Sequence, residues 1–194
     1  VQGALQKAIL SLTGETVSVR GAGRTDSGVH ALGQVVHADL SREWLPHKLR
    51  NALNAHLQMA DEKVSVVEVM AVDDTFDARF SAVARRYVYR VCDDPALLDP
   101  LRRSHVLWNR RPLDVAAMPE AAQRVLGRHD FAAYRKPREG ATTIRTLDEA
   151  SWRRPADGPD AGLVVATVRA DAFCHSMVRA LVGALDGPAR TVVV

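Results

Sequence analysis

Leucines recur at positions 45, 49, 53 and 57, one at every fourth residue. That spacing stacks them on a single helical face, a stripe that is stable only when laid against another element. On either side of it, Gly33–Leu40 and Lys63–Val72 are rich in β-branched residues and read as strands. A helix fixed between strands must lie on a sheet, which points to a mixed architecture rather than a bundle or a sandwich. The flanking sequence repeats the theme. Residues 1–13 place Val1, Leu5, Ala8 and Leu12 on one helical face that Gly14 ends, Thr16–Arg20 reads as a strand, Gly21–His30 as a glycine-punctuated loop, and Arg85–Cys92 as a further strand.

A stretch rich in Pro, Asp, Leu and Arg, Asp93–Arg103, reads as a linker. Beyond it the order recurs loosely. Ser104–Trp108 reads as a strand, and Val115, Met118, Ala122 and Val125 mark a helix. Ile144–Arg153 and Leu163–Ala172 read as strands, and Met177, Val178, Leu181, Val182 and Leu185 form the apolar face of a last helix. The expected fold is α+β in two halves, residues 1–103 and 104–194, each mixing antiparallel strands with helices.

No apolar run approaches the roughly 18–20 residues of a membrane span, and no signal-peptide pattern opens the sequence. Cys92 and Cys174 lack CxxC spacing and sit in apolar stretches, as reduced core residues of a cytoplasmic protein would. The net charge is only +3, but it is built from 22 Arg and 4 Lys. Arginine forks onto phosphate and stacks on bases, which suits an RNA partner; a GC-rich genome produces the same bias. The basic segment Arg135–Arg145 reads as an exposed loop that is either a solvated face or an RNA contact.

Residues 21–37 carry the chemistry: Gly-Ala-Gly-Arg-Thr-Asp-Ser-Gly-Val-His-Ala-Leu-Gly-Gln-Val-Val-His. Glycines around Arg24-Thr25-Asp26 permit close backbone approach to a ligand. An arginine two positions before a carboxylate can keep it ionised and oriented. Asp-Ser-Gly is equally an ordinary turn in which Asp caps its own backbone, so local physics leaves both roles open for Asp26. The segment lacks the Lys-Ser/Thr ending of a phosphate-binding loop. His30 and His37 have no third ligand in view for zinc.

The whole segment resembles the signature of the tRNA pseudouridine synthase A family, Gly-Arg-Thr-Asp-Ala/Ser-Gly-Val-His-Ala before a strand with Gly-Gln-Val. Further blocks match in order: Phe76-Asp77-Ala78-Arg79-Phe80-Ser81, Ala84-Arg85-Arg86-Tyr87-Val88-Tyr89, His129-Asp130-Phe131, and Ala172-Phe173-Cys174-His175-Ser176-Met177-Val178-Arg179. The resemblance implies a mixed, largely antiparallel sheet in two pseudo-symmetric halves, with a basic cleft between them, and a homodimer. It implies an isomerase that moves uracil from an N1 to a C5 glycosidic linkage in the tRNA anticodon stem-loop, at positions 38 to 40. No cofactor or metal is expected, because nothing is oxidised and no group is imported.

By the same resemblance Asp26 is the essential carboxylate. Tyr87 stacks on the target uracil and is a candidate for handling the base proton. Arg24 helps splay the substrate stem and pairs near the carboxylate, and Arg179 supports Asp26 through a salt bridge. Relative to the family pattern, a first strand with Asp-Gly and Trp-Gln motifs would precede Val1, and a longer helical region with a Gly-Leu-x-Leu strand would follow Leu185. A fragment of a longer protein is therefore expected. Two other readings compete: a non-catalytic RNA-binding module on the same fold, and a hydrolase, which would need a second carboxylate such as Asp39, Asp73 or Asp77.

Overall fold

Helix α1, Gln2–Thr13, ends where Gly14 turns left-handed at φ 76° and returns its N–H to the Leu10 carbonyl. A side chain at that φ would be strained, so the glycine fixes the stop. Helix α2, Pro46–Met59, opens with Pro46 in its first turn, where no N–H is needed. Ala4, Leu5, Ala8 and Ile9 of α1 join Leu49, Leu53 and Leu57 of α2 and Val19 in one buried core. The computed structural model describes residues 1–24, 29–135 and 142–185.

The chain divides into two compact units, Val1–Ala82 and Val83–Val194, rather than after residue 103. The reason is strand pairing. Arg85–Cys92, which the linker position assigns to the first half, pairs along its length with a strand of the second.

In the first unit, of three segments expected to be strands, two pair only briefly and one does not pair among the described residues. Thr16–Arg20 and Gly33–Leu40 contribute β1, Arg20–Gly21, and β2, Val36–His37, an antiparallel pair in which Arg20 faces His37 and Gly21 faces Val36. Lys63–Val72 forms no ladder among the described residues. Its inward side chains alternate only at first: Val64 and Val66 pack on the helical core, and after an exposed Glu68 the next to do so is Val69, together with Val17, Val36, Ala38 and Leu40. Asn54 of α2 takes the place of a neighbouring strand. Its amide accepts from the Val66 N–H at 2.7 Å and donates to the Val66 carbonyl at 2.9 Å.

The second unit is a five-stranded sheet in the order β4-β3-β7-β6-β5. Its strands are β3 (Arg85–Cys92), β4 (Leu107–Trp108), β5 (Gly127–Asp130), β6 (Ile144–Arg153) and β7 (Val164–Ala170). Only β3–β4 is parallel, so the sheet is mixed and mostly antiparallel, and the α+β expectation holds. Helices α3, Met118–Gln123, and α4, Met177–Leu185, bring Met118, Ala122, Met177 and Leu181 onto one face of it, where Leu147, Trp152, Val164, Ala166 and Val168 complete the core. On the other face Arg86 lies directly opposite Arg169, a like-charge pairing that costs stability. An irregularity at Asp148 lets two acids of β6 answer it: Asp148 meets Arg169 at 2.9 Å and Glu149 meets Arg86 at 3.4 Å.

The stretch Asp93–Arg103 is no slack linker. It forms two successive 3-10 turns, Pro95–Leu97 and Pro100–Arg102, each capped by the preceding aspartate, whose Oδ1 accepts from Ala96 N and Leu101 N at 2.9 Å. Arg102 and Arg90 converge on Asp160 at 2.8 and 2.9 Å, and Arg154 binds buried Asp93 through both guanidinium Nη atoms at 2.8 Å. No described helix is long and apolar enough to cross a membrane.

Candidate active site

The β1–β2 pair is the stem of a hairpin whose long loop carries Arg24 and Asp26. Two contacts close the loop just above the stem. Ala22 N–H donates to the Val35 carbonyl at 2.9 Å, and Gln34 Nε2 donates to the Gly23 carbonyl at 2.8 Å. Arg24 follows directly and is exposed. Asp26 itself lies outside the described residues, as does the larger part of the basic segment Arg135–Arg145.

The foot of the hairpin is clamped by the Phe76–Ser81 block. His37 Nδ1 accepts from the Ala78 N–H at 2.9 Å, and the His37 ring meets Phe76 edge-on at 6.3 Å. Because Nδ1 accepts, the imidazole proton belongs on Nε2 in this arrangement. The block is stiff in its own right. Asp77 Oδ1 accepts from Arg79 N and Phe80 N at 2.8 and 2.9 Å, and Ser81 N–H donates to the Asp77 carbonyl at 2.7 Å. The Phe80 N–H bond, with that of Arg79, holds the Asp77 carboxyl below its usual range. Asp73 likewise caps Thr75, whose side-chain and backbone bonds lower its pKa. Both are engaged as turn caps, which weakens their candidacy as the second carboxylate of a hydrolase.

Tyr87 and Arg179 belong to the second unit. Alternation along β3 turns Arg85, Tyr87 and Tyr89 to the partly buried face while Arg86 and Val88 face solvent, as the strand period requires. Tyr87 is half-buried, packs on the rim of the core and meets Phe173 edge-on, with ring centroids 5.1 Å apart and planes at 87°. Phe173 stands in the connection between β7 and α4, three residues before Ser176, whose φ of 66° is unusual for a residue with a side chain. Arg179 is exposed in the first turn of α4, which contains no acidic residue. A cation there opposes the helix dipole and gains most from an anion placed nearby. Sequence reasoning missed His37 as a clamp and Phe173 as a neighbour of Tyr87. The His37 ring signal lay in the block itself, but its partner is 41 residues away.

Among the described residues, no three His, Cys, Asp or Glu side chains gather as a metal site would require. A groove of about 340 Å³ lies along α1 and α2, lined by Lys7, Ser11 and His56 among others, and another of about 440 Å³ borders Asp93 and Arg154. Neither includes Arg24, Tyr87 or Arg179.

A sequence profile described as tRNA pseudouridine synthase matches residues 1–81 and 121–190. A tRNA pseudouridine synthase A of Allorhizobium ampelinum is 48% identical over 186 residues, covering 95% of this chain and 70% of that protein. That of Sinorhizobium medicae is 50% identical over 186 residues, covering 95% and 73%, and that of Streptomyces avermitilis 54% identical over 191 residues, covering 95% and 65%. The matched span takes in the hairpin, the clamp block, strands β5, β6 and β7 and helix α4. The chain belongs to the tRNA pseudouridine synthase A family.

Proposed function

We propose that this chain isomerises uridine to pseudouridine in the tRNA anticodon stem-loop, at positions 38 to 40, with Asp26 as the working carboxylate. The observation that carries the reading is the Gly21–His37 signature lying within a match to tRNA pseudouridine synthase A proteins at about half identity. The hairpin stem and the His37 clamp support it, since they anchor both ends of the loop that holds Asp26.

The reaction breaks the C1′–N1 bond, turns the uracil and joins C5 to C1′. Atoms are conserved, and no redox partner takes part. An ionised Asp26 serves by attacking C1′, by adding to C6, or by removing the 2′ hydrogen to give a glycal. The target base must leave its stack, and Tyr87 offers the aromatic surface to receive it. Arg24 acts as the wedge beside the target nucleotide, and Arg179 serves the reaction as a charged support. In this reading the two compact units correspond to the family's pseudo-symmetric halves, and the protein acts as a cytoplasmic homodimer.

Asp26→Asn tests the reading. The amide keeps the size and most turn-forming capacity of the aspartate, so the melting temperature should stay near wild type while pseudouridine formation falls to background. tRNA should still bind, slightly tighter because a charge repelling phosphate is gone. Retained turnover in the folded Asn variant would remove Asp26 from the mechanism.

A further inference from the structure

We infer that Phe173 is a positioning residue for Tyr87, an abutment that sets the angle of the aromatic surface on which the uracil is received. The inference rests on the proposed role of Tyr87 and extends it to a residue given no role so far. It begins with the geometry: centroids 5.1 Å apart at 87° place the edge of one ring against the face of the other, the favoured arrangement for an aromatic pair. Both rings are half-buried at the rim of the core rather than within it. Rim placement leaves a tyrosine ring room to swing about its side-chain bonds unless a neighbour blocks it.

Phe173 can block it because the chain two residues before it is held from both sides, by β6 and by an arginine of β3. Asp171, two residues earlier, exchanges bonds with β6: its N–H donates to the Thr146 carbonyl and its Oδ1 accepts from the Thr146 N–H, both at 3.1 Å. On the other side Arg85 Nη1 donates to the Asp171 carbonyl at 2.8 Å. Arg85 is two residues before Tyr87 on the same face of β3, so the strand that carries the platform also ties down its abutment. Downstream, Met177 N–H donates to the Cys174 carbonyl at 3.0 Å, and the left-handed Ser176 turns the chain into α4. The connection Asp171–Ser176 is thus a short braced span with Phe173 near its centre.

The test is a set of variants assayed on unmodified tRNA, with the three tyrosines labelled as 3-fluorotyrosine for fluorine NMR. Phe173→Leu keeps an apolar side chain but has no ring edge. It should lower kcat by roughly tenfold, the scale of one lost edge-to-face contact, with KM nearly unchanged, and should shift and broaden the Tyr87 resonance. Phe173→Tyr keeps the edge and should restore both kcat and the resonance. The resonance is read on folded protein by itself, so it decides the question even for a variant too unstable to assay. Wild-type turnover in Phe173→Leu, beside an inactive Tyr87→Leu, would overturn the positioning role and leave the platform standing. A fall in melting temperature with an unmoved Tyr87 resonance would also overturn it, reducing Phe173 to packing. Full activity in Tyr87→Leu would instead overturn the platform itself.

Discussion

Arg24 and Arg179 illustrate how differently two arginines can be placed. Arg24 leaves the hairpin just where the Gln34–Gly23 bond closes it, so its backbone is anchored while its side chain is exposed. Arg179 sits in the first turn of a helix, where the dipole repels it and favours an anion instead. The two should fail differently. Arg24→Glu places a negative charge beside the target nucleotide, and kcat should fall by more than tRNA affinity does. Parallel measurement of single-turnover rate and Kd checks this, and equal losses in both would reduce Arg24 to one phosphate contact among many.

Among the elements, the braced turns between β3 and β4 have the clearest pH signature. Asp93 is buried, and the Arg154 guanidinium, with the Leu113 N–H, holds its carboxyl below the usual range. A folded-state pKa below the unfolded value of about 3.9 means that the unfolded chain binds the proton more readily. The resulting stability is complete above that value and is lost as pH falls through the folded pKa. Wild-type stability should therefore decline from about pH 5 downward, and Asp93→Asn should flatten that limb. At neutral pH the variant should cost about 2–3 kcal/mol, under the figure for a fully buried pair because Arg154 is 36% exposed. Urea titrations at pH 7 and at about pH 3, inside that window, on both proteins give the two numbers.

At the scale of the whole molecule, the structure sorts the arginines that composition could only count. Arg90, Arg102 and Arg154 are committed to internal carboxylates, and Arg86 and Arg169 are answered by Glu149 and Asp148. These should add little to RNA binding. The remaining exposed arginines should make tRNA affinity fall steeply with salt, each phosphate contact adding about 0.7–0.9 to the log–log slope. Arg154→Met should leave that slope unchanged while lowering the melting temperature. A shallow slope in wild type would mean that the arginine bias reflects genome composition alone.

The sequence by itself determined what depends on local spacing and on identity. Strands Arg85–Cys92 and Ile144–Arg153 begin and end where the sequence placed them, the first showing period-two patterning over its opening residues. The stop of α1 at Gly14 was equally legible, since glycine is the residue that adopts that φ without strain. The blocks around Arg24, Tyr87 and Arg179 pointed to the family before any fold was visible. Tertiary structure decided what depends on a distant partner. Lys63–Val72 has the β-branched residues of a strand but no ladder among the described residues, because pairing needs a neighbouring backbone that patterning does not supply. The supposed linker proved to be pinned, because Arg154 and Asp160 lie about 60 residues beyond the groups they bind. His37 and Phe173 became visible as a clamp and an abutment only when the chain had brought them to partners 41 and 86 residues away in sequence. Periodicity fixes which way a side chain points; only the fold decides what it meets there.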